Sequence, residues 1–379
     1  MKKIINYLIY FINAKWFIKS PLKKKFLIFG DNNQIILENI LEENYFFLNT
    51  NGKYIYIKLF LKTVLKFSFK SFLHKYYLNC IKEIDPEVII SSNDTDTFFW
   101  KLKKYFPDKK IILIQNAKKS GNTNDLFYYL EKHKFEKRKL DYVFLMNNSI
   151  KNKFEKYIEA EFIIHGSLIN NSFEKLNVKK KNYAFISQIS DYGHKTFDKI
   201  SNKEISETFY NESKRLLKYF TIFKPNEKIF IIPYNDKKKL IEFEKIKFEE
   251  ISKDLNLEII ILDKLDRYSN YKQLDYFHLT MGLSSTILYE NFGRGNKSAF
   301  FNYLKNCGIL GYELGWPKKE KETSISTNIN DQKNFMRIMN FLDDISDLNW
   351  NKEVRKLKED IMDFDQNNQK LRKLIFNLK

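Results

Sequence analysis

Short apolar segments that alternate with amphipathic helical segments constrain the fold of this chain more than any other feature. The stretch KFLIFGD, residues 25–31, is an apolar run that ends at Gly30, and the helical pattern IILENILEE follows it. Similar runs recur as far as residue 165, with helical patterns between several of them, and Pro86 and Pro107 precede two of them. This alternation indicates an α/β fold, in which a parallel sheet carries helices on both faces.

A second series of the same kind begins after a lysine-rich stretch at residues 172–182. We therefore predict two Rossmann-like domains, at residues 21–175 and 183–330, followed by C-terminal helices at residues 331–379. Ligands of such sheets bind beyond the carboxyl ends of the strands. The expected site is therefore the cleft between the two domains.

The N-terminal segment, residues 1–20, is predicted as an amphipathic helix. Its apolar core at residues 4–18 is too short to span a bilayer and lacks a small-residue cleavage signature. Trp16 and the flanking lysines suit a helix that lies in a membrane interface. A helix packed on the first domain explains the pattern equally well.

The charge balance is strongly basic, with a formal net charge of +19 among 379 residues. A nucleic-acid partner is not favoured, because the chain has 59 lysines but only seven arginines, and arginine is the preferred reader of bases and phosphates. Lys, Asn, Ile, Phe and Tyr are enriched together, as an A+T-rich genome would produce. The excess charge can still attract anionic membranes or substrates.

The segment LTMGLSSTILYENFGRG, residues 279–295, is the strongest local signal. It predicts a strand that ends at Gly282 and a helix that begins near Ser284, Ser285 and Thr286. A helix start can bind a phosphate, and Glu290, one turn further on, could accept hydrogen bonds from ribose hydroxyls. Alternatively, a serine here simply caps the helix.

The loop SSNDTD, residues 91–96, is the best candidate for acid–base chemistry. Asp94 or Asp96 could accept the proton of an acceptor hydroxyl during sugar transfer. The pair could also bind Mg²⁺ or Mn²⁺. An aspartate that caps the following helix is the structural alternative.

Several stretches together resemble a family of bacterial surface-carbohydrate biosynthesis proteins, the glycosyltransferase-like enzymes of O-antigen and capsule assembly. They are SSTILYENFGRGNKSAFF, SNDTDTFFWKLKKYFPDKKIILIQNA, DYVFLMNNSIKNKFEKYI, HGSLINN and YAFISQIS. The chain departs from the family pattern at Asn93-Asp94, which is a swapped pair, and at Ala117, where the family has glycine.

This resemblance implies two Rossmann-like halves that face a cleft, the GT-B-type architecture. It also implies transfer of an acidic nonulosonate or Kdo-type sugar from a CMP donor to a lipid-linked or oligosaccharide acceptor at the inner face of the cytoplasmic membrane. Because such a donor leaves with one phosphate, which the helix start and basic residues could stabilise, we expect no required metal. A polyol-phosphate transferase of the teichoic-acid type and a non-catalytic protein that binds glycan or anionic lipid are the alternatives.

Polar residues at the other strand ends complete the candidate site. On the acceptor side they are Asn93, Gln115, Asn116, His165, Gly166, Ser167 and Asn170. On the donor side they are Ser187, Gln188 and Arg294, the last as a partner for phosphate. No Gly-x-Gly-x-x-Gly, Walker or zinc-hydrolase motif is present, which disfavours those classes of enzyme.

Overall fold

A computed structural model describes residues 14–30, 32–51, 53–65, 72–119, 126–191, 196–197, 200–303 and 323–378. Within these ranges the two predicted series of strands form two separate six-stranded sheets, and every pairing inside each sheet is parallel. The predicted α/β class is therefore confirmed.

The first sheet has the strand order β3-β2-β5-β6-β7-β8. Its strands are β2 (Phe26–Phe29), β3 (Tyr45–Leu48), β5 (Val88–Ser91), β6 (Lys110–Ile114), β7 (Arg138–Leu145) and β8 (Ile158–Ile164). The associated helices are α1 (Gln34–Leu41), α2 (Ile57–Val64), α3 (Phe72–Ile84), α4 (Leu102–Tyr105), α5 (Leu126–Lys132), α6 (Lys151–Glu155) and α7 (Leu168–Asn171). The central strands β2 and β5 are buried along their whole length, because helices cover both faces.

The second sheet has the strand order β13-β12-β9-β14-β15-β16. Its strands are β9 (Lys181–Ile186), β12 (Ile229–Ile232), β13 (Ile259–Ile261), β14 (Phe277–Gly282), β15 (Ser298–Phe301) and β16 (Ser326–Thr327), and the short strands β10 (Thr196–Phe197) and β11 (Ile200–Ser201) pair apart from it. The helices are α8 (Asn202–Phe223), α9 (Lys238–Leu255) and α10 (Thr286–Gly293). The central strands β9 and β14 place their carboxyl ends next to each other, where Met281 pairs with Phe185.

The N-terminal segment differs from its prediction. Residues 1–13 lie outside the described residues, and β1 (Lys15–Phe17) is a strand that pairs in parallel with β4 (Tyr54–Tyr56). The predicted helix is therefore wrong for Lys15–Phe17. The edge-to-face contact of Trp16 with Phe60, at 5.3 Å between ring centroids, shows the physical reason: the aromatic side chains pack against α2.

The C-terminal segment forms three helices, α11 (Gln332–Asp344), α12 (Asp347–Ile361) and α13 (Gln369–Leu378). After α12 the chain returns to the first domain, where Asp363 N–H donates to the Met146 carbonyl at 2.9 Å. Buried residues of one face of the first sheet and of the second domain consequently form one continuous core. No helix of the described residues is long and apolar enough to cross a membrane.

Candidate functional site

The helix predicted after Gly282 begins at Thr286, at the carboxyl end of the central strand β14. Ser285 is the N-cap residue with an extended backbone, and its side chain makes no capping hydrogen bond. The N–H and Oγ of Ser284 both donate to Oε1 of Gln188, at 2.8 and 3.0 Å. Two donors thus converge on one oxygen atom beside the positive end of a helix dipole, as they would on a phosphate oxygen.

Glu290 lies one turn further along α10 and is buried, with 2% of its surface exposed. Its carboxylate accepts hydrogen bonds from the hydroxyls of Ser167, at 2.5 Å, and Tyr271, at 2.8 Å. Burial raises the pKa of Glu290, and these two hydrogen bonds oppose the rise. A carboxylate that accepts from two hydroxyls has the bonding pattern that a ribose diol would supply.

The first domain contributes an ion pair at the carboxyl edge of its sheet. Asp94, which follows β5, is buried and lies 2.8 Å from Nζ of Lys119, which follows β6. The backbone N–H of Asn116 also donates to the Asp94 carboxylate. Burial raises the pKa of Asp94, while Lys119 and Asn116 oppose the rise. A raised pKa suits a carboxylate that must take a proton.

A hydrogen-bonded chain joins this edge to the second domain. Asn33 Nδ2 donates to Asn116 Oδ1 at 2.9 Å, and Arg267 Nη2 from the second domain donates to Asn33 Oδ1 at 3.3 Å. The carboxyl ends of β2, β5 and β6 therefore converge on the second domain. Neither Asn33 nor Arg267 is among the residues predicted from the sequence, although Arg267 is one of only seven arginines.

Lys118 is a further residue that the sequence analysis missed. Its Nζ lies 3.5 Å from the ring centroid of Tyr289 on α10, and this cation–π contact spans the two domains. Among the described residues, neither Lys118 Nζ nor the Tyr289 hydroxyl has a hydrogen-bond partner, although both atoms are shielded from solvent. Burial lowers the pKa of Lys118 well below its usual range. We call Ser284, Glu290, Asp94 and Lys118 the cleft edge.

Other predicted residues make local contacts. Asp96 Oδ1 accepts the Phe98 N–H at 2.9 Å, which is the capping geometry, and Asn93 Oδ1 accepts the Thr95 hydroxyl. Gln115 bridges Ala117 O and the Met146 N–H, while the Ser187 hydroxyl accepts the N–H of Ile189. Among the described residues no three His, Cys, Asp or Glu side chains lie together as a metal site would require.

Arg294 does not reach the cleft, which corrects the prediction of a phosphate partner. Its guanidinium pairs with Asp275, with Nε 3.0 Å from Oδ1, and also donates to Asn170 and to the carbonyls of Phe173 and Glu174. All five of its N–H groups therefore meet protein acceptors. We call Arg294, Asp275 and Asn170 the linker clamp, because they hold the chain that joins the domains.

His165 and Gly166 are covered by the chain's own C-terminal segment, which corrects their assignment to the cleft. Gly166 has a φ of +84°, and a Cβ there would lie 2.2 Å from the Asp363 carbonyl oxygen. The close approach that requires glycine is thus made by Asp363 rather than by a ligand. His165 is fully buried, and burial together with Lys370 lowers its pKa to about 4.

Solved structures with two facing Rossmann-like domains are similar to this chain. A UDP-N-acetylglucosamine 2-epimerase from Listeria monocytogenes has a TM-score of 0.54 at 11% identity, over 92% of this chain and 95% of that one. The wall teichoic acid polymerase TagF soaked with CDPG has a TM-score of 0.54 at 11% identity, over 94% and 89%. The S. aureus MnaA–UDP structure has a TM-score of 0.50 at 11% identity, over 94% and 98%.

These likenesses establish the class of the fold, GT-B. The model of one protein family, described as O-antigen biosynthesis proteins, matches residues 112–379. The chain therefore belongs to this O-antigen biosynthesis family, and the resemblance to surface-carbohydrate proteins is confirmed. No curated protein matches it.

Proposed function

We propose that this chain is a glycosyltransferase that moves a sugar from a nucleotide-linked donor to a bacterial surface glycan such as O-antigen or capsule. The helix start at Ser284, Ser285 and Thr286, with the buried carboxylate of Glu290 one turn away, carries this proposal. The helix start binds the phosphate, and Glu290 exchanges the hydroxyls of Ser167 and Tyr271 for those of the ribose. Membership of an O-antigen biosynthesis family supports this role.

The donor we favour is an acidic nonulosonate or Kdo-type sugar on CMP. Its single phosphate needs one anion site, which the helix start provides together with Lys118 and no metal. The GT-B proteins TagF and MnaA, whose structures were determined with CDPG and UDP, support a pyrimidine nucleotide. Binding of the phosphate near Lys118 would neutralise an otherwise unpaired buried cation.

In the reaction, an acceptor hydroxyl oxygen forms a bond to the anomeric carbon of the donor sugar. The Asp94 carboxylate takes the hydroxyl proton, while Lys119 and Asn116 hold that carboxylate in place. The bond between the anomeric carbon and the phosphate oxygen breaks, and the electron pair leaves with the nucleotide phosphate. The helix start and Lys118 stabilise this developing charge.

Ligand entry requires the domains to separate, and three of the contacts that would break lie beside the proposed site. They are the Ser167–Glu290 hydrogen bond, the Arg267–Asn33 hydrogen bond and the Lys118–Tyr289 contact. When these contacts break, Glu290 and Lys118 become free to bind the ligand. Asn33 and Arg267 lie next to the proposed binding residues. Opening of the cleft and exposure of the site are therefore the same event.

A thermal-shift panel of CMP-, UDP- and GDP-sugars and CDP-glycerol tests the proposal. A nucleotide at 100 times its dissociation constant adds about 2.7 kcal/mol of stability. We expect CMP-sugars to stabilise the protein most, and we expect transfer activity to survive EDTA. Loss of activity in EDTA and recovery with Mn²⁺ would instead assign a metal to Asp94 and Asp96.

The similarity to TagF favours a polyol-phosphate transferase as the second candidate. Stabilisation by CDP-glycerol alone, with transfer of glycerol phosphate, would establish that function. Failure of every nucleotide to bind would point to a non-catalytic protein that binds glycan or anionic lipid. Each result replaces the glycosyltransferase proposal rather than modifying it.

The acceptor side of the proposal places the protein at the inner face of the cytoplasmic membrane. Large apolar side chains are exposed around β1 and α2, and Ile18 and Leu65 have 85% and 86% of their surface exposed. Exposed lysines, including Lys19 and Lys62, lie in the same segments. Apolar contact combined with basic charge is the pattern of a protein that binds an anionic lipid surface.

Vesicle co-sedimentation tests this membrane assignment. We expect Ile18→Ser/Leu65→Ser to release the protein from phosphatidylglycerol vesicles, as removal of residues 1–20 should. Leu348→Ser/Phe376→Ser removes two other exposed apolar side chains, with 69% and 76% of their surface exposed, and serves as the control. Equal sedimentation of the two double variants would overturn the assignment.

A further inference from the structure

A cavity of about 710 Å³ lies beside the linker that joins the two domains. Linker residues 175–180 form one wall, and His278, Lys297 and Trp350 contribute to the others. The Trp350 indole is fixed there, because its Nε1–H donates to the Gly295 carbonyl at 2.9 Å. The cavity is therefore formed by the linker, the second domain and α12, and it is open to solvent along the linker wall, where Lys175, Asn177 and Lys179 are exposed.

The cavity lies at the opposite edge of the second sheet from the proposed donor site. Lys180 immediately precedes β9 and Lys297 immediately precedes β15, and both strands pair in parallel with β14 between them. Ser284, in contrast, follows the carboxyl end of β14. Any ligand of the cavity is thus separated from the donor by the length of the sheet.

Among the described residues, four lysines and one carboxylate, that of Asp347, line the cavity. Nζ of Lys180 donates to Asn296 Oδ1 at 2.5 Å, and Nζ of Lys297 donates to the Ile345 carbonyl at 2.8 Å, and both acceptors are neutral. The other two lysines are Lys175 and Lys179. In the part of the chain that the structure describes, none of the four forms a salt bridge.

The lysines also act on one another. Burial lowers the pKa of Lys180 most, and the charge of Lys175 lowers it further. Asp275 and Asp347 each raise it by more than Lys297 lowers it. Burial likewise lowers the pKa of Lys297. Asp347, Asp343 and Asp344 oppose that effect on Lys297, so carboxylates compensate part of the positive charge. Four ammonium groups around a cavity that one carboxylate lines still leave an excess of positive charge, which a bound anion would reduce.

We propose that this cavity binds a phosphate-bearing anion with at least two negative charges. Several ammonium groups around one concave site suit a diphosphate, to which lysine binds as a point charge. A free diphosphate and the phosphate headgroup of a lipid share this chemistry. The site is independent of the proposed donor site and does not need it to be correct.

Titration of the full chain with inorganic pyrophosphate, followed by calorimetry, tests the proposal. We expect Lys175→Gln/Lys180→Gln to lose at least tenfold in pyrophosphate affinity. Lys238→Gln/Lys239→Gln, which removes the same charge from the exposed start of α9, should keep the wild-type affinity. Ser284→Ala should keep it too, because the helix start lies at the other edge of the sheet.

No binding of pyrophosphate to the wild type, equal losses in the two lysine variants, or a loss only in Ser284→Ala would overturn the proposal. If Lys175→Gln/Lys180→Gln fails to fold, Lys179→Gln replaces it. This variant changes an exposed lysine of the cavity wall, and we expect it to lower pyrophosphate affinity as well.

Sedimentation with phosphatidic acid vesicles then identifies the source of the phosphate. A loss of vesicle binding in the cavity variant, but not in Lys238→Gln/Lys239→Gln, assigns a lipid headgroup, and unchanged vesicle binding assigns a free anion.

Discussion

The two ends of helix α10 carry similar polar residues but place them in opposite environments. In the linker clamp at its C-terminal end, every N–H of Arg294 has a protein acceptor, and Asp275 accepts from both Arg294 and Asn296. At the cleft edge near its N-terminal end, Lys118 Nζ and the Tyr289 hydroxyl are buried and have no hydrogen-bond partner in the part of the chain that the structure describes. Residue type alone does not distinguish the two ends.

Whether a buried polar group has a hydrogen-bond partner separates groups that stabilise the fold from groups that are available to a ligand. A satisfied buried ion pair stabilises the folded chain only as a unit, because each partner compensates the desolvation of the other. A buried cation without an acceptor lowers stability and is retained only where another function needs it. The linker clamp is therefore expected to control stability, and the cleft edge is expected to control binding.

The largest effect is expected in the linker clamp. Arg294→Met leaves the Asp275 carboxylate buried without its partner and should reduce the free energy of unfolding by about 3–5 kcal/mol. Arg355→Met, at an exposed position of α12, should change it by less than about 0.5 kcal/mol in the same urea titration. A loss below 1 kcal/mol for Arg294→Met would show that the clamp does not hold the domains.

The buried His165 predicts a pH dependence of stability. Its pKa is lowered to about 4 in the folded chain, so between pH 6.5 and 4 the unfolded chain binds the proton more readily. The contribution of neutral His165 to the free energy of unfolding is therefore fully present above pH 6.5 and is lost as the pH falls towards 4. At 1.36 kcal/mol per unit of pKa shift, the loss is about 3 kcal/mol. Unfolding of His165→Gln across this range should lack that slope, whereas His133→Gln, at an exposed position, should retain it.

Replacement of Glu290 tests the cleft edge directly. Glu290→Ala should weaken binding of the stabilising nucleotide by about 1–3 kcal/mol through loss of charged hydrogen bonds. Ser167→Ala removes the same contact between the domains but keeps the carboxylate, so nucleotide affinity in calorimetry should be unchanged or higher. Equal losses in the two variants would mean that Glu290 only joins the domains.

Much of the fold follows from local patterns in the sequence. The strand predicted at Val88–Ser91 has those bounds in the structure, because a buried parallel strand is a continuous apolar run between a proline and a polar loop. The helix start at Thr286 follows equally from a strand that ends in Gly and is followed by Ser-Ser-Thr. These features depend on neighbours in sequence, so one sequence is enough to predict them.

Contacts between distant segments could not be predicted in the same way. Nothing near Gly166 in the sequence indicates that Asp363, almost 200 residues away, covers it. Arg294 was assigned to phosphate because a motif does not show that Asp275 lies beside it. Lys118 was missed because one lysine among 59 has no distinguishing feature until its burial is known.

The smallest change in stability, and the sharpest separation of the two regions, is expected at Lys118. Methionine has a similar length and packs well on an aromatic ring, so Lys118→Met should cause no loss of stability. Because it removes the cost of burying the amine, it should leave the free energy of unfolding at neutral pH unchanged or raise it. Because burial lowers the pKa of Lys118 in the folded chain, the unfolded chain binds more protons below pH 10.5. Wild-type stability should therefore rise as the pH increases towards 10.5, and Lys118→Met should lack that component.

In contrast, the nucleotide affinity of Lys118→Met should fall about tenfold, since a charge-assisted hydrogen bond to phosphate contributes about 1.5 kcal/mol. Unfolding and nucleotide titrations of the same preparation measure both quantities. A large loss of stability with unchanged affinity would place Lys118 with the linker clamp as a structural residue.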